Sequence, residues 1–576
     1  MCLLQQHGGP DDEGIYVDEK HSLVLGHRRL SLIDLSPGGH QPMAYANERF
    51  YIIYNGELYN YIELKEELEK AGCSFVSNSD TEVILAAFAV WGRSAFAKFI
   101  GMYAFALLDK ETQNIYLVRD PSGIKPLYFA ITKEGMAFAS EVRALASIDY
   151  LKAPNANWPV FFLAYGHLPE PLTTLQEVKP LCKGCFVRYH IPTAKWEMEV
   201  FSFFSFIEKY EDRGEAIELV RQHLQKAVKR HLISDAPIGV FLSGGLDSSI
   251  IALLAKQQHQ AELKTLSIFF KETSYSEKPF QDAMVNQLKC HHHQYLLGEH
   301  DFHKYLPEIF SAMDLPSCDG INTWFISKSA KENGLKAVLS GIGGDELFGG
   351  YPSFNRIKTA NQLAKLPSLL LKAGRISGSK KMRRLSYLTI DGPVGMYLFL
   401  RGQYIPGEIA AQLDISEKEV IQILSEQPVM NSIHHQTDKN QASWIELNMY
   451  MQNQLLRDSD VMSMSHGIEI RVPFLDNSFV KMVHGICTDI KYQGKKEKQL
   501  LIDAFKDQLP ETIWNRPKMG FSFPFAEWLQ NNEMARDQFL SGGKRSIAAW
   551  EKFSKGKLHW SQLMSLLLLN QQLREK

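Results

Sequence analysis

The sequence predicts two unlike halves: an α+β first domain of antiparallel sheets with flanking helices, and an α/β second domain with a doubly wound parallel sheet and a helical C-terminal part. Three observations predict this. At 576 residues the chain is too long for one core. Its first third carries short β-branched and aromatic runs broken by turn residues. From about Phe201, apolar runs of strand length alternate with longer helical patterns. The change falls within 189–210, which gives domains over 1–195 and 205–540 and a helical tail over 541–576.

In chain order, Phe50-Tyr51-Ile52-Ile53-Tyr54 reads as a strand that stops at the turn pair Asn55-Gly56. A helix follows, with Asn60 as its cap, Glu63 three residues on, and Ile62, Leu64 and Leu68 spaced for a buried stripe before Gly72. Ser79 and Glu82 form a second capping box ahead of the apolar segment 83–88, which ends at Trp91-Gly92. Strands are expected at 104–108, 115–118 and 126–130. In the second half, strand 238–242 leads to helix 249–255, strand 263–270 to helix 283–288, and strand 336–339 to a second glycine-rich loop. Beyond about Asn355 the pattern is mainly helical.

Composition narrows the function classes. Apolar content of 45% and charged content of 22% are ordinary for a globular protein. A net charge of −2 offers no electrostatic case for binding nucleic acid or an anionic membrane. Seven cysteines do not make a disulfide framework in such a length. No apolar run reaches membrane-spanning length, and the apolar stretch 563–569 is expected to bury one helix face. The first residues show no signal peptide, so a cytoplasmic setting is expected.

The segment Ser243-Gly244-Gly245-Leu246-Asp247-Ser248-Ser249 lies between a strand and a helix. Glycines let the backbone approach an anion, and the helix N-terminus adds its positive end. Asp247 would repel a phosphate, so it reads as a ligand for Mg²⁺, which bridges carboxylates and phosphates. No Gly-Lys-Ser/Thr follows, so the loop is not a Walker A element. Ser340-Gly341-Ile342-Gly343-Gly344-Asp345-Glu346 also follows an apolar strand. Ligands bind outside the carboxyl ends of strands in open parallel sheets, so both loops are expected to face one nucleotide, with Asp247 and Asp345 sharing the metal.

These residues resemble the pyrophosphate-loop ATP enzymes, specifically the asparagine synthetase family of glutamine-dependent amidotransferases. The resemblance covers nearly the whole chain. In the second half it also rests on Leu456-Arg457-Asp458, Glu469-Ile470-Arg471-Val472-Pro473-Phe474-Leu475-Asp476, Lys498-Gln499-Leu500-Leu501 and Arg516-Pro517-Lys518-Met519-Gly520-Phe521. In the first half it rests on Gly9-Pro10-Asp11-Asp12-Glu13-Gly14, Gly26-His27-Arg28-Arg29-Leu30-Ser31, Gly39-His40-Gln41-Pro42-Met43, Tyr54-Asn55-Gly56-Glu57 and Ser79-Asp80-Thr81-Glu82.

The resemblance implies an N-terminal-nucleophile glutaminase and an ATP-dependent synthetase, with ammonia passing between them inside the protein. It implies that Arg29 holds the glutamine carboxylate and Asp80 its amine, beside Leu30 and Ser31. Asn55 and Gly56 would form the oxyanion hole, and Glu57 would help position the substrate. For ATP it implies Leu242, Ile268, Ser340 and Gly341 around adenosine. Ser243, Gly244, Gly245, Asp247, Ser248 and Ser249 would hold pyrophosphate, Asp247 and Asp345 the Mg²⁺, and Lys498 would neutralise the leaving pyrophosphate. The implied partners are glutamine, ATP and aspartate or another small carboxylate, and the family also allows a homodimer.

Two departures qualify this. Only Leu3-Leu4-Gln5-Gln6 separate Cys2 from His7-Gly8-Gly9-Pro10-Asp11, where the family has a strand and a helix. Cys2 is then in the nucleophile's position by coincidence, a sheet edge is left unpaired, and poor glutamine hydrolysis is expected. An ammonia-only ligase is the alternative. Second, Ile342 stands where the family usually carries an acid beside the lysine. Either an apolar residue is tolerated there or the acceptor is not aspartate. Three further features are set aside: Cys182-Lys183-Gly184-Cys185 as a loop, Cys290-His291-His292-His293 as a polar segment after a helix, and Lys380-Lys381-Met382-Arg383-Arg384 as a solvated face.

Overall fold

The structure, a computed structural model, describes residues 1–258, 263–272, 274–374, 379–428, 437–520 and 523–574. Phe521 of the Arg516 motif and residues 575–576 of the expected tail lie outside the described residues. The chain opens with a short 3-10 turn, Cys2–Gln5, followed by an antiparallel hairpin of β1 (Asp12–Asp18) and β2 (Leu23–Arg29). A six-stranded sheet is built from β3 (Met43–Tyr45), β4 (Phe50–Leu58), β5 (Gly101–Asp109), β6 (Asn114–Arg119), β10 (Cys185–His190) and β11 (Lys195–Val200). Its order is β11-β10-β6-β5-β4-β3 and all its pairs are antiparallel. A third sheet, β8-β7-β9, uses β7 (Tyr128–Thr132), β8 (Gly135–Ala139) and β9 (Lys179–Pro180).

β5 is buried along its whole length, because both faces of the six-stranded sheet are covered. One face packs Phe105 and Leu107 against Ile84 and Phe88 of the helix Asp80–Trp91. The other packs Ala106 and Leu108 against Leu25 and Val187.

Local detail departs from expectation at three places. β4 does not stop at Asn55-Gly56 but runs on to Leu58. Gly56, at φ +142°, lies so close to β5 that a Cβ would overlap the Met102 carbonyl. The glycine therefore serves close strand approach rather than a turn. Asn60 makes no side-chain cap on the helix Tyr61–Lys70; it accepts from Ile100 N at 2.9 Å and donates to Lys98 O at 3.0 Å instead. Of the expected stripe, Leu64 and Leu68 are buried while Ile62 is exposed. At the next helix Ser79 accepts from Thr81 N, and Glu82 reaches back to Val76 N and Ser77 N at 3.0 and 2.8 Å.

After β11, Lys209 N and Tyr210 N both donate to Gly485 O, and Asp212 caps the helix Arg213–His231. The second half carries a parallel sheet of β12 (Ile238–Phe241), β13 (Lys264–Phe270), β14 (His291–Leu297), β15 (Ala337–Leu339) and β16 (Glu469–Arg471). The order is β14-β13-β12-β15-β16, so the chain leaves β12 first to one side and later to the other. That reversal opens a crevice at the strands' carboxyl ends. β14, expected as a polar segment, is the edge strand; His292 Nδ1 there meets Thr265 Oγ1 at 2.8 Å. The rest is mainly helical, ending in Lys544–Ser554 and Trp560–Arg574, where Leu563 and Leu567 are buried. Among the described residues no helix is long and apolar enough to cross a membrane.

Candidate active site

β12 ends at Phe241, and Ser243-Gly244-Gly245 turns the chain into the helix Leu246–Gln258. Gly244 sits at φ +83°, which favours glycine. The serines lock this turn: Ser243 Oγ lies 2.9 Å from Ser248 Oγ, and Gly245 N donates to Ser243 Oγ at 3.2 Å. The neighbouring strand β15 delivers the loop Ser340-Gly341-Ile342-Gly343-Gly344 beside it. Their contact requires glycine. A Cβ on Gly341 would stand 2.9 Å from the Asp247 Cβ, and one on Gly344 2.6 Å from the Asp247 Cγ.

Charges converge where the loops meet. Lys498 Nζ lies 2.5 Å from Asp247 Oδ2 and also pairs with Asp345 Oδ1. Lys518 Nζ is 2.7 Å from Asp345 Oδ1. Arg516 donates to Gly244 O at 2.9 Å and pairs with Glu277 at 2.7 Å. Burial works against ionised Asp345, yet Lys498 and Lys518 outweigh it and hold its carboxyl below the usual carboxylate value. Burial, with repulsion from Asp345, pushes Asp247 up against the pull of Lys498. Asp247 Oδ1 is buried and meets no hydrogen-bond partner among the described residues.

A cleft of about 1020 Å³ opens over these groups. Its wall includes Leu242, Ser243, Gly245, Asp247, Ser248, Ile268, Ser340, Gly341, Ile342, Asp345 and Lys498. Ser249 lies behind the loop, fully buried. Another part of the wall carries Asp319, Asn322, Thr323 and Asp458. Burial, the largest influence, and the neighbouring Asp319 push the Asp458 carboxyl up to about 7. The four cations of the described wall, Lys496, Lys498, Arg516 and Lys518, all come from one segment, 496–518.

In the first half, Arg29 is buried and gives its guanidinium donors to Ile33 O, Asp34 O and Ser36 O at 3.2, 2.6 and 3.3 Å. The same loop is tied to the Asp80 helix, because Asp34 Oδ2 accepts from Asn78 N at 3.0 Å. Ser31 N donates to Asp11 Oδ2 at 2.8 Å, and Leu30 packs beside Ala236. Asp80 Oδ2 accepts from Tyr54 OH at 3.0 Å and Leu58 N at 2.9 Å, while burial pushes its carboxyl up to about 6. The Asn55 amide is 3.5 Å from Ser140 Oγ. The Cys2 thiol lies against Gly26 of β2, and His7 Nε2 is 3.0 Å from Glu141.

Glu57 reaches toward the second half. Its Oε1 is 3.3 Å from Arg471 Nη2, and Arg471 also holds Glu469 at 2.9 Å. Lys125, nearly inaccessible, pairs with Asp460 at 3.0 Å and Glu469 at 3.5 Å. Arg471 O accepts from Ser340 N at 2.8 Å. Thus a buried charge cluster stands between Asn55-Gly56 on one side and Ser340-Gly341 on the other.

The asparagine synthase family profile matches residues 219–555, and a glutamine amidotransferase domain profile matches residues 1–201. The chain belongs to the asparagine synthase family. It is 32% identical over 556 residues to "Asparagine synthetase [glutamine-hydrolyzing] 1" of Bacillus subtilis, covering 93% of this chain and 85% of that one. It is 30% identical to a "Putative asparagine synthetase [glutamine-hydrolyzing]" of Mycobacterium bovis, covering 94% and 86%. It also aligns at 26% identity with "Amidase chry2" of Gibberella zeae, covering 91% and 84%. Against this asparagine synthase frame, sequence reasoning gave no role to Asp319, Asp458, Arg516 or Lys518. The signal for Arg516 and Lys518 was the run Arg516-Pro517-Lys518-Met519-Gly520, two cations set around a proline near a glycine. Asp319 carried no local signal.

Proposed function

We propose that the cleft of the second half activates a carboxylate with ATP and that ammonia from glutamine converts it to an amide. The observation that carries this reading is the Lys498 ammonium bridging Asp247 and Asp345 at two glycine-rich strand ends. The loop Ser243-Gly244-Gly245 with Ser248 would hold the pyrophosphate end of ATP. Leu242, Ile268, Ser340 and Gly341 would pack around adenosine. One acceptor carboxylate oxygen then attacks the α-phosphorus, and the bond to pyrophosphate breaks. Lys498 and Lys518 stabilise the charge on the departing group. Ammonia next attacks the acyl carbon, loses a proton, and AMP leaves with the acceptor oxygen.

Mg²⁺ fits the donor set. Asp247 Oδ1 meets no hydrogen-bond partner among the described residues, and the Asp345 carboxylate lines the same cleft. Among the described residues no group of three or more His, Cys, Asp or Glu side chains is placed to hold a metal. An ion at Asp247 and Asp345 would be carried by these carboxylates together with substrate phosphates. When bound it would neutralise charge on the phosphate oxygens.

In the first half, Arg29 and Asp80 would frame glutamine, with Asn55 and Gly56 at the oxyanion. The Glu57–Arg471 cluster would line the passage for ammonia. A second reading concerns the acceptor. Ile342 stands where the family usually carries an acid, Arg457 pairs with Asp458 at 3.7 Å but does not line the cleft beside Asp319, and a relative with a different name aligns across most of the chain. These favour an acceptor with an ammonium and an apolar group in place of aspartate's second carboxylate. Pyrophosphate release measured with ATP, ammonium chloride and a panel of carboxylates tests both readings. Release with no carboxylate of the panel sinks the first, and release driven best by aspartate sinks the second.

A further inference from the structure

A cavity of about 370 Å³ lies between the two halves and shares no lining residue with the ATP cleft. Its size falls in the range of small-molecule pockets, about 300–1,000 Å³. Much of the wall is apolar, with Phe204 and Phe206 from the connecting segment and Trp444 and Leu447 from the helical part. Its only described acid, Glu170, is already engaged: Oε1 pairs with Arg119 at 2.8 Å, and Oε2 accepts from Gln452.

Of the basic side chains, the described wall carries Lys183 and His484. His484 is 2% exposed, and neither ring nitrogen meets a hydrogen-bond partner among the described residues. Its ring stacks on Phe206 with centroids 4.1 Å apart. Lys183 lines the same cavity from the amidotransferase half. Burial first, then the charges of Lys491 and Lys183, keep His484 neutral well below its ordinary range. Lys491 sits behind Phe206, 5.1 Å from its ring centroid; burial pushes its amine down to about 7 against the pull of Glu208, and the nitrogen meets no hydrogen-bond partner among the described residues. Unpaired buried donors and charges cost free energy, and an anionic ligand would relieve that cost. A phosphate or dicarboxylate would bring a second negative charge to a described wall whose one Lys or Arg is Lys183, whereas a single carboxylate on an apolar body matches that cation and the aromatic wall.

We propose that this cavity binds a small monocarboxylate with an apolar body, its carboxylate meeting Lys183 and His484 and its body lying against Phe204, Phe206 and Trp444. The site is independent of the amide-forming reaction. Calorimetric titration of the full chain with octanoate, and with 1-octanol as the uncharged control, tests it. Octanoate is expected to bind saturably and at least tenfold more tightly than octanol. Lys183→Gln is expected to weaken octanoate at least tenfold and leave octanol unchanged, while Lys183→Arg retains octanoate. Leu447→Trp, which fills the cavity, removes both. Ammonium-supported activity of Lys183→Gln is expected to match the parent, which reports that the variant is folded. No saturable binding, octanoate no tighter than octanol, or equal octanoate affinity in the parent and a folded Lys183→Gln overturns the proposal.

Discussion

The two halves hold their polar groups in opposite states. In the ATP cleft, Asp247, Asp345, Lys498 and Lys518 converge on one opening, and Asp247 Oδ1 is left without a partner among the described residues. In the amidotransferase half, Arg29 gives its donors to three backbone carbonyls, and Asp80 already accepts from Tyr54 and Leu58. The first arrangement is prepared for a charged ligand. The second is a rigid frame whose polar groups mostly hold one another, so its chemistry depends on what is presented to it. Between them lies a cluster in which each buried charge has a partner from the other half.

The largest effect is expected at the centre of the cleft. Lys498→Met should lower ammonium-supported amide formation about a thousandfold, comparable to losing a well-placed transition-state donor. A steady-state rate within tenfold of the parent would remove Lys498 from that role. The bridging cluster comes next. Arg471→Met leaves Glu57 buried without its ion-pair partner and Glu469 with Lys125 alone, and should cost about 3–5 kcal/mol in denaturant unfolding. Asn55→Ala separates the halves: whatever glutamine-supported product formation the parent retains should fall about a hundredfold, with the ammonium-supported rate unchanged. Equal losses with both nitrogen sources would show that Asn55 acts on the whole fold.

A pH effect sharpens the contrast. Asp458 titrates at about 7 in the fold, chiefly through burial, against an ordinary value of 3.8. The folded chain therefore binds a proton that the unfolded chain lacks between those values, and stability falls as pH rises through that window. Asp458→Asn removes the dependence. Melting temperatures of parent and variant should diverge in the variant's favour between about pH 5 and about pH 8, whereas parallel curves would place the pH response elsewhere. The smallest effect is expected at Ser243→Ala, which loosens the phosphate turn and should raise the KM for ATP about three- to tenfold.

What the sequence disclosed and what it hid follow one physical line. Both glycine-rich loops were legible because a strand, small residues and a helix start lie within a few positions of each other. The alternation of strands and helices around them also carried the parallel sheet. β14 was hidden because an edge strand exposed to solvent has no need of apolar residues, and His291-His292-His293 reads as polar. β16 was hidden because Glu469 and Arg471 look like surface residues until their partners are known. Those partners are far away in sequence, Glu57 for Arg471 and Lys125 for Glu469, so no local pattern announces them. Asn55-Gly56 misled for a different reason. The pair suits a turn, but here the glycine answers to the Met102 carbonyl across the sheet.

On the proposed reaction, the cleft joins a carboxylate oxygen to the α-phosphorus of ATP. An acceptor labelled with ¹⁸O in its carboxylate, incubated with ATP and ammonium chloride, tests it most directly by mass spectrometry of the nucleotide products. One ¹⁸O transferred to AMP, with pyrophosphate unlabelled, is the predicted result. Label in inorganic phosphate with ADP formed, or amide produced with no label in AMP, would contradict it.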